Sequence, residues 1–299
     1  MYIITGATGN TGSVVAHKLL DAGQKVRVVG RSKEKLQPFA ARGAEEFVAD
    51  VTDANAMTDA FAGAKAVYSM LPPEYPGDLR AGQDKAAAAL ATAIEKAGVK
   101  HVVNLSSVGA DKTEGTGPIV GLHRFEKRLN AIAGLNVLHL RPGYFFENTL
   151  MMIPVIKQMG MLAGAYDPSV AIPMIATRDI GARAADELLR LGFTGSSTRE
   201  LQGPRNYSYN EVAKLLGAAI GKPGLGYMQV PFMMVDQALV GMGVPASTAK
   251  LLNEMTRSLN NGQIVMLEPR SAENTTPTTL DQWAADVFAP AFHGKAAKA

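Results

Sequence analysis

The chain contains no cysteine. Disulfides, thiolate nucleophiles and cysteine metal ligands are excluded together, and a reducing compartment fits. The five histidines, His17, His101, His123, His139 and His293, never form a close-spaced set, so no metal site is expected. A strong charge excess is also missing. The 30 Lys and Arg stand against 27 Asp and Glu, a net charge of +3, which is too mild and too evenly spread for a nucleic-acid face. No apolar run approaches the ~20 residues that span a bilayer, and the chain enters a strand at once without a basic-then-apolar leader. The expectation is a cytoplasmic protein that binds neither membrane nor nucleic acid. The tail HGKAAKA reads as a frayed basic end.

What is present is a core. With 299 residues, 47% of them hydrophobic, the chain suits one large domain or a core domain with a satellite. The first half alternates short β-branched runs with longer amphipathic stretches. YIIT, KVRVVG, EEFVAD, KAVYSML, HVVNLSS and NVLHLRP read as six strands, with helices between them. That rhythm is repeated βαβ, so the expected fold is α/β, a Rossmann-type doubly wound parallel sheet. Past Pro142 the rhythm fades into helices with short strand-like pieces such as RELQG and GYMQVP. We expect residues 1–150 to form the nucleotide-binding core, with helix 177–191 able to join it. Residues 151–299 are expected to form a smaller mixed α/β, substrate-binding lobe with segments packing back on the core.

GATGNTG, residues 6 to 12, sits between the first strand and the first helix. In that context Gly6 allows the tight turn, Gly9 lets backbone approach a pyrophosphate, and Gly12 lets the helix sit close to the strand. The helix N-terminus offers unpaired N–H groups, and Thr8, Asn10 and Thr11 add short side-chain donors. Proteins that choose NAD carry an acidic residue at the end of the second strand. Here the sequence is VVGRSKEK. Arg31, with Lys35 behind it, suits an adenosine 2′-phosphate through charge-assisted bonds, so NADP(H) is the expected cofactor. The alternative is a solvated basic start to a surface helix. Asp50, with the Val51 backbone beside it, is placed to accept from the adenine amino group or simply to cap a loop. Leu71 and Pro72, in SMLPP, end the fourth strand where a cofactor crosses the sheet.

GATGNTG, GRSKEKL, DVTD, NLSSVGA, LRPGYFFEN and NTTPTTLDQW together resemble the atypical short-chain dehydrogenase/reductase superfamily and, within it, the NmrA-like family. That family includes NADPH-dependent quinone reductases, azoreductase-like enzymes and redox-sensing regulators. The resemblance implies that Ser106 and Ser107 lie on the nicotinamide ribose side. It also implies that Pro142, Gly143, Tyr144 and Phe145 line the nicotinamide and substrate cleft, with Asn148 nearby. On the residues alone, PGYFFEN serves equally as a hydrophobic plug.

Typical short-chain dehydrogenases carry a Tyr and, four residues on, a Lys in the helix after the fifth strand. This helix reads GPIVGLHRFEKRL and has no Tyr. His123 and Lys127 share the four-residue spacing, but the family register places the active-site Lys position at Leu122 and leaves Lys127 a surface residue. His123 remains the candidate polar group near nicotinamide or substrate, against ordinary helix packing, and Tyr144 is the alternative donor. Quinones are easy hydride acceptors and their product anions take protons from solvent. Unactivated ketones need a committed acid, so the missing pair favours reduction of a quinone-like, small apolar or aromatic electron acceptor. An NADP(H)-binding redox sensor without turnover is the alternative. A homodimer and a regulatory protein partner both stay open.

Overall fold

The computed structural model describes residues 1–73 and 77–296; the last three residues of the HGKAAKA tail lie outside the described residues. The chain begins β1 (Tyr2–Thr5), α1 (Asn10–Asp21), β2 (Val26–Gly30), α2 (Lys33–Ala40), β3 (Glu45–Val48), α3 (Ala54–Phe61), β4 (Ala66–Met70), α4 (Leu79–Lys96), β5 (His101–Leu105) and α5 (Ile119–Asn130). It continues through β6 (Asn136–Pro142), β7 (Tyr144–Phe145), a 3₁₀ stretch (Phe146–Met152), α6 (Ile153–Met159), β8 (Leu162–Gly164), β9 (Ile172–Ile175), α7 (Thr177–Arg190) and β10 (Ser196–Leu201). The remainder is β11 (Asn206–Tyr207), α8 (Tyr209–Ala219), β12 (Tyr227–Gln229), α9 (Phe232–Gly241), α10 (Ala246–Asn260), α11 (Leu280–Trp283) and α12 (Ala289–Phe292).

Local chemistry sets many of these boundaries. Ser32 opens α2 by accepting the Lys35 N–H at 3.4 Å, and Asp53 and Asp78 cap α3 and α4 in the same way. ENTLMMIPVIKQMG, which reads as one helix, is divided: the 3₁₀ stretch ends at Met152, and α6 restarts with Pro154 in its first turn. Proline lacks an N–H and is best tolerated at such a start.

The main sheet has seven strands in the order β10-β6-β5-β4-β1-β2-β3. The pairs from β3 across to β6 are parallel. The Val137 N–H donates to Gly195 O at 2.8 Å and the Gly143 N–H to Leu201 O at 2.8 Å, so β10 runs the same way as β6. The sheet is therefore the expected doubly wound one. Strand order reverses between β1 and β4, the switch point outside which such sheets bind their ligands.

Two compact units interleave along the chain. One comprises Met1–Thr113, Pro118–Arg141 and Ile180–Arg199; the other comprises Glu114–Gly117, Pro142–Asp179 and Glu200–Ala299. In the first unit, Ile3, Val67, Val102 and Val137 stand side by side across four strands and pack with Phe61, Leu90, Ile94, Phe125 and Leu129. Two residues nearer the carboxyl ends the row turns polar: Ser69, Asn104 and His139 are in register. His139 Nδ1 accepts from Asn104 Nδ2 at 3.1 Å, and its Nε2 donates to Asn130 Oδ1 at 2.9 Å. Burial pushes this imidazole down to about 4. Beside it, Arg141 forks onto Glu126 with bonds of 2.9 and 2.5 Å, tying α5 to β6. The second unit holds two small sheets, β11-β9-β7 and β12-β8.

His139 makes stability depend on pH. Between about 6.5, the ordinary imidazole value, and about 4, the unfolded chain binds a proton that the folded chain refuses. Stability should therefore fall with falling pH at up to about 1.4 kcal/mol per unit from this group. Urea unfolding of wild type and His139→Gln across that range should show the slope reduced in the variant. Equal slopes would assign it elsewhere.

Candidate functional site

At the carboxyl end of β1 the backbone turns at Gly6, whose φ is +62°. The Gly9 N–H closes the turn on Gly6 O at 2.9 Å. A Cβ on Gly12 would stand 2.3 Å from Gly6 O, a distance no side chain tolerates, so glycine here lets α1 start hard against β1. No side chain caps α1, which leaves the N–H groups of its first turn free to meet an anion. Thr8, Gly9 and Asn10 are exposed at this end. Thr11 is buried, and its hydroxyl accepts from the Tyr68 hydroxyl at 2.8 Å, so its side chain faces the sheet. On the far side, a Cβ at Gly181 of α7 would meet Thr11 O at 2.7 Å. A second helix thus packs against the first turn of α1, a contact that no sequence motif announces.

Arg31 follows β2 directly and is exposed; among the described residues no hydrogen bond or ion pair occupies it. Lys35 is also exposed, one turn into α2. Asp50 lies near Arg31: the Thr52 backbone N–H, and then the charges of Arg31 and Lys85, hold its carboxyl below the usual range. Its Oδ1 accepts that N–H at 2.8 Å, an Asx turn, and the Thr52 side chain also bonds the carboxylate. Val51 is half-buried beside it. Lys85, on α4, is a cation near this corner that sequence reasoning missed.

Beyond β4, Leu71 is buried and Pro72 half-buried. At the end of β5, Ser106 is 3% exposed. Its N–H donates to Leu140 O at 2.7 Å, and its hydroxyl has no partner. Ser107 donates to Val108 O at 2.9 Å. His123, half-buried on α5, is held through Nδ1 by Ala110 O at 2.8 Å, while Lys127 on the same helix is exposed.

The PGYFFEN residues lie in the second unit. A Cβ on Gly143 would stand 2.4 Å from Pro173 O, so Gly143 lets β9 approach, and Tyr144 and Phe145 pair with Met174 and Ile175. The Tyr144 hydroxyl meets those of Tyr166 at 3.0 Å and Tyr209 at 3.2 Å. Tyr166 stacks on Tyr209 at 4.3 Å, and Tyr209 leans on Tyr227 at 4.9 Å. Burial holds the Tyr144 phenol well above its ordinary value, so it stays protonated through neutral pH. Phe146 is fully buried against Tyr207 and Trp283 and is a core residue of this unit. Asn148 is half-buried, and Met151 is 60% exposed.

The family model described as the NmrA-like family matches residues 2–284. The chain belongs to the NmrA-like family. Two curated relatives carry reductase names. The NAD(P)H azoreductase of Xenophilus azovorans is 30% identical over 85% of this chain and 86% of its own. Quinone oxidoreductase 2 of Escherichia coli is 31% identical over 88% of this chain and 89% of its own. A crystal structure of an Escherichia coli NADPH-dependent quinone oxidoreductase complexed with NADPH superimposes with a TM-score of 0.81 at 26% identity, covering 96% of this chain and all of that one. The NmrA-like chain described here thus shares length and fold with oxidoreductases. No helix among its described residues is long and apolar enough to cross a membrane.

The glycine turn predicts its own sensitivity. Gly12→Ala places a methyl against backbone at 2.3 Å and should cost about 1–3 kcal/mol of overpacking strain. Gly23→Ala, with nothing within 4 Å of the added carbon, strains only its own backbone, φ +68°. Chemical unfolding of the two variants checks this; a Gly12→Ala protein as stable as wild type would show that the helix can retreat.

Proposed function

We propose that the chain is an NADPH-dependent oxidoreductase that reduces a quinone-like aromatic acceptor. The observation that carries the cofactor half is the exposed, unoccupied Arg31 at the end of β2, placed where an NAD-selective protein has a carboxylate. The uncapped α1 terminus suits a pyrophosphate, and the unpartnered Ser106 hydroxyl suits a ribose. In this reading Gly6, Thr8, Gly9, Asn10, Thr11 and Gly12 form the phosphate turn. Arg31 and Lys35 take the 2′-phosphate, and Asp50 with Val51 takes the adenine. Leu71, Pro72, Ser106 and Ser107 flank the ribose side, and Pro142, Gly143, Tyr144 and Phe145 are carried over from the family pattern. NADPH, when bound, supplies a hydride.

The chain's own contribution is selection and orientation. The Arg31 guanidinium neutralises a dianionic phosphate through directed bonds that water would otherwise make. The polar group for the acceptor is His123, with no Tyr in α5. A site without that phenol suits acceptors whose reduced form is a stable anion, because no side chain must deliver a proton during hydride transfer. Quinones, named for one relative, are electron-poor π systems of this kind.

Purified protein should oxidise NADPH in the presence of 1,4-benzoquinone, followed by loss of nicotinamide absorbance. Binding without oxidation across a quinone panel would sink the reading. Arg31→Ala should weaken NADPH by about 1.5–3 kcal/mol and leave NADH nearly unchanged, measured as Kd for each. Equal losses would remove Arg31 from the selectivity role.

A further inference from the structure

The hydrogen bond between His123 and Ala110 decides which hydrogen-bonding partner the imidazole can take. A carbonyl oxygen only accepts, so at 2.8 Å from Ala110 O the His123 Nδ1 carries hydrogen. A flipped ring would put carbon at that distance, inside van der Waals contact. Neutral imidazole has one N–H, so Nε2 carries a lone pair. Nε2 has no partner among the described residues. The carbonyl cannot swing away easily: Ala110 is fully buried and its N–H closes a turn on Ser107 O at 3.1 Å. The helix is fixed as well, by Glu126 and Arg141.

Charged side chains on the elements beside His123 pair with one another. Arg124 of α5 meets Asp84 of α4 at 2.8 Å, Asp111 meets Lys112 at 2.6 Å on the preceding loop, and Glu126 is taken by Arg141. Lys127 points to solvent.

We infer that Ala110 makes neutral His123 a hydrogen-bond acceptor toward substrate, so that the preferred ligands are flat aromatics bearing an O–H or N–H donor, such as hydroxy- or amino-substituted quinones. This rests on the reading that the acceptor meets His123. An unsubstituted quinone gains no hydrogen bond from that lone pair and is the weaker ligand, though still a hydride acceptor. Ala110 is a positioning residue here; its backbone, not its side chain, carries the role.

The probes are 1-naphthol and 1-methoxynaphthalene, matched in shape and redox-inert, titrated calorimetrically into full-length protein saturated with NADP⁺. At pH 8, 1-naphthol should bind about tenfold tighter, the worth of one buried hydrogen bond. In His123→Phe the ratio should approach one. Long-range ¹H–¹⁵N spectra at pH 8 should show the Nδ1–H tautomer of His123. Equal affinity, no binding of either probe at pH 8, a preference that survives in His123→Phe, or an Nε2–H tautomer overturns the inference. NADPH oxidation by 1,4-naphthoquinone is scored separately. If it is absent while the naphthol preference holds, the reductase reading falls and the tautomer assignment stands; if it is present without the preference, the reverse follows.

Discussion

The contact between Gly6 and Gly12 sets the geometry on which the rest of the first unit depends. With no side chain at either position, the first turn of α1 lies against the end of β1 and its N–H groups point past the sheet edge. Any Cβ there would lift the helix and turn a directed row of donors into a loose one. Gly181 repeats the device from the other side, letting α7 press against the same turn. Ion pairing between Lys18 and Asp186, at 3.0 Å and largely in solvent, adds little to that clamp.

Behind this edge the sheet divides its core by depth. The row of Ile3, Val67, Val102 and Val137 is apolar and packs tightly. The next inward-facing row, nearer the carboxyl ends, carries Ser69, Asn104 and His139. A buried polar row is costly unless its members are bonded; here both His139 nitrogens find amide partners, while the Ser69 hydroxyl and the Asn104 amide oxygen have none. The Glu126 and Arg141 pair extends the same logic to α5, so that His123, one turn before Glu126, sits on a helix with little freedom to slide.

Much of this was legible in the residues. The βα rhythm up to Pro142 announces the parallel sheet because strand and helix periods of apolar residues differ. GATGNTG and Arg31 are legible because few residue types allow a tight turn or suit a phosphate. The later half was less so. Two-residue strands such as β7 and β11 are too short for any periodicity, and they exist only because β9 lies between them. RELQG reads as a strand from its own composition, but nothing in it names β6 as the neighbour. Tyr166, Tyr209 and Tyr227 are scattered along the chain and become a cluster only when folded.

The sequence by itself determined the sheet, the glycine turn and the cation after β2, because each rests on local backbone sterics or on a side chain's fixed charge. Tertiary structure alone decided that α7 packs on α1, that Tyr144 shares its hydroxyl with two other tyrosines, and that His123 holds its hydrogen on Nδ1. The reason is physical. A carbonyl such as that of Ala110 is identical in every residue, and only the folded path of the chain gives it a direction.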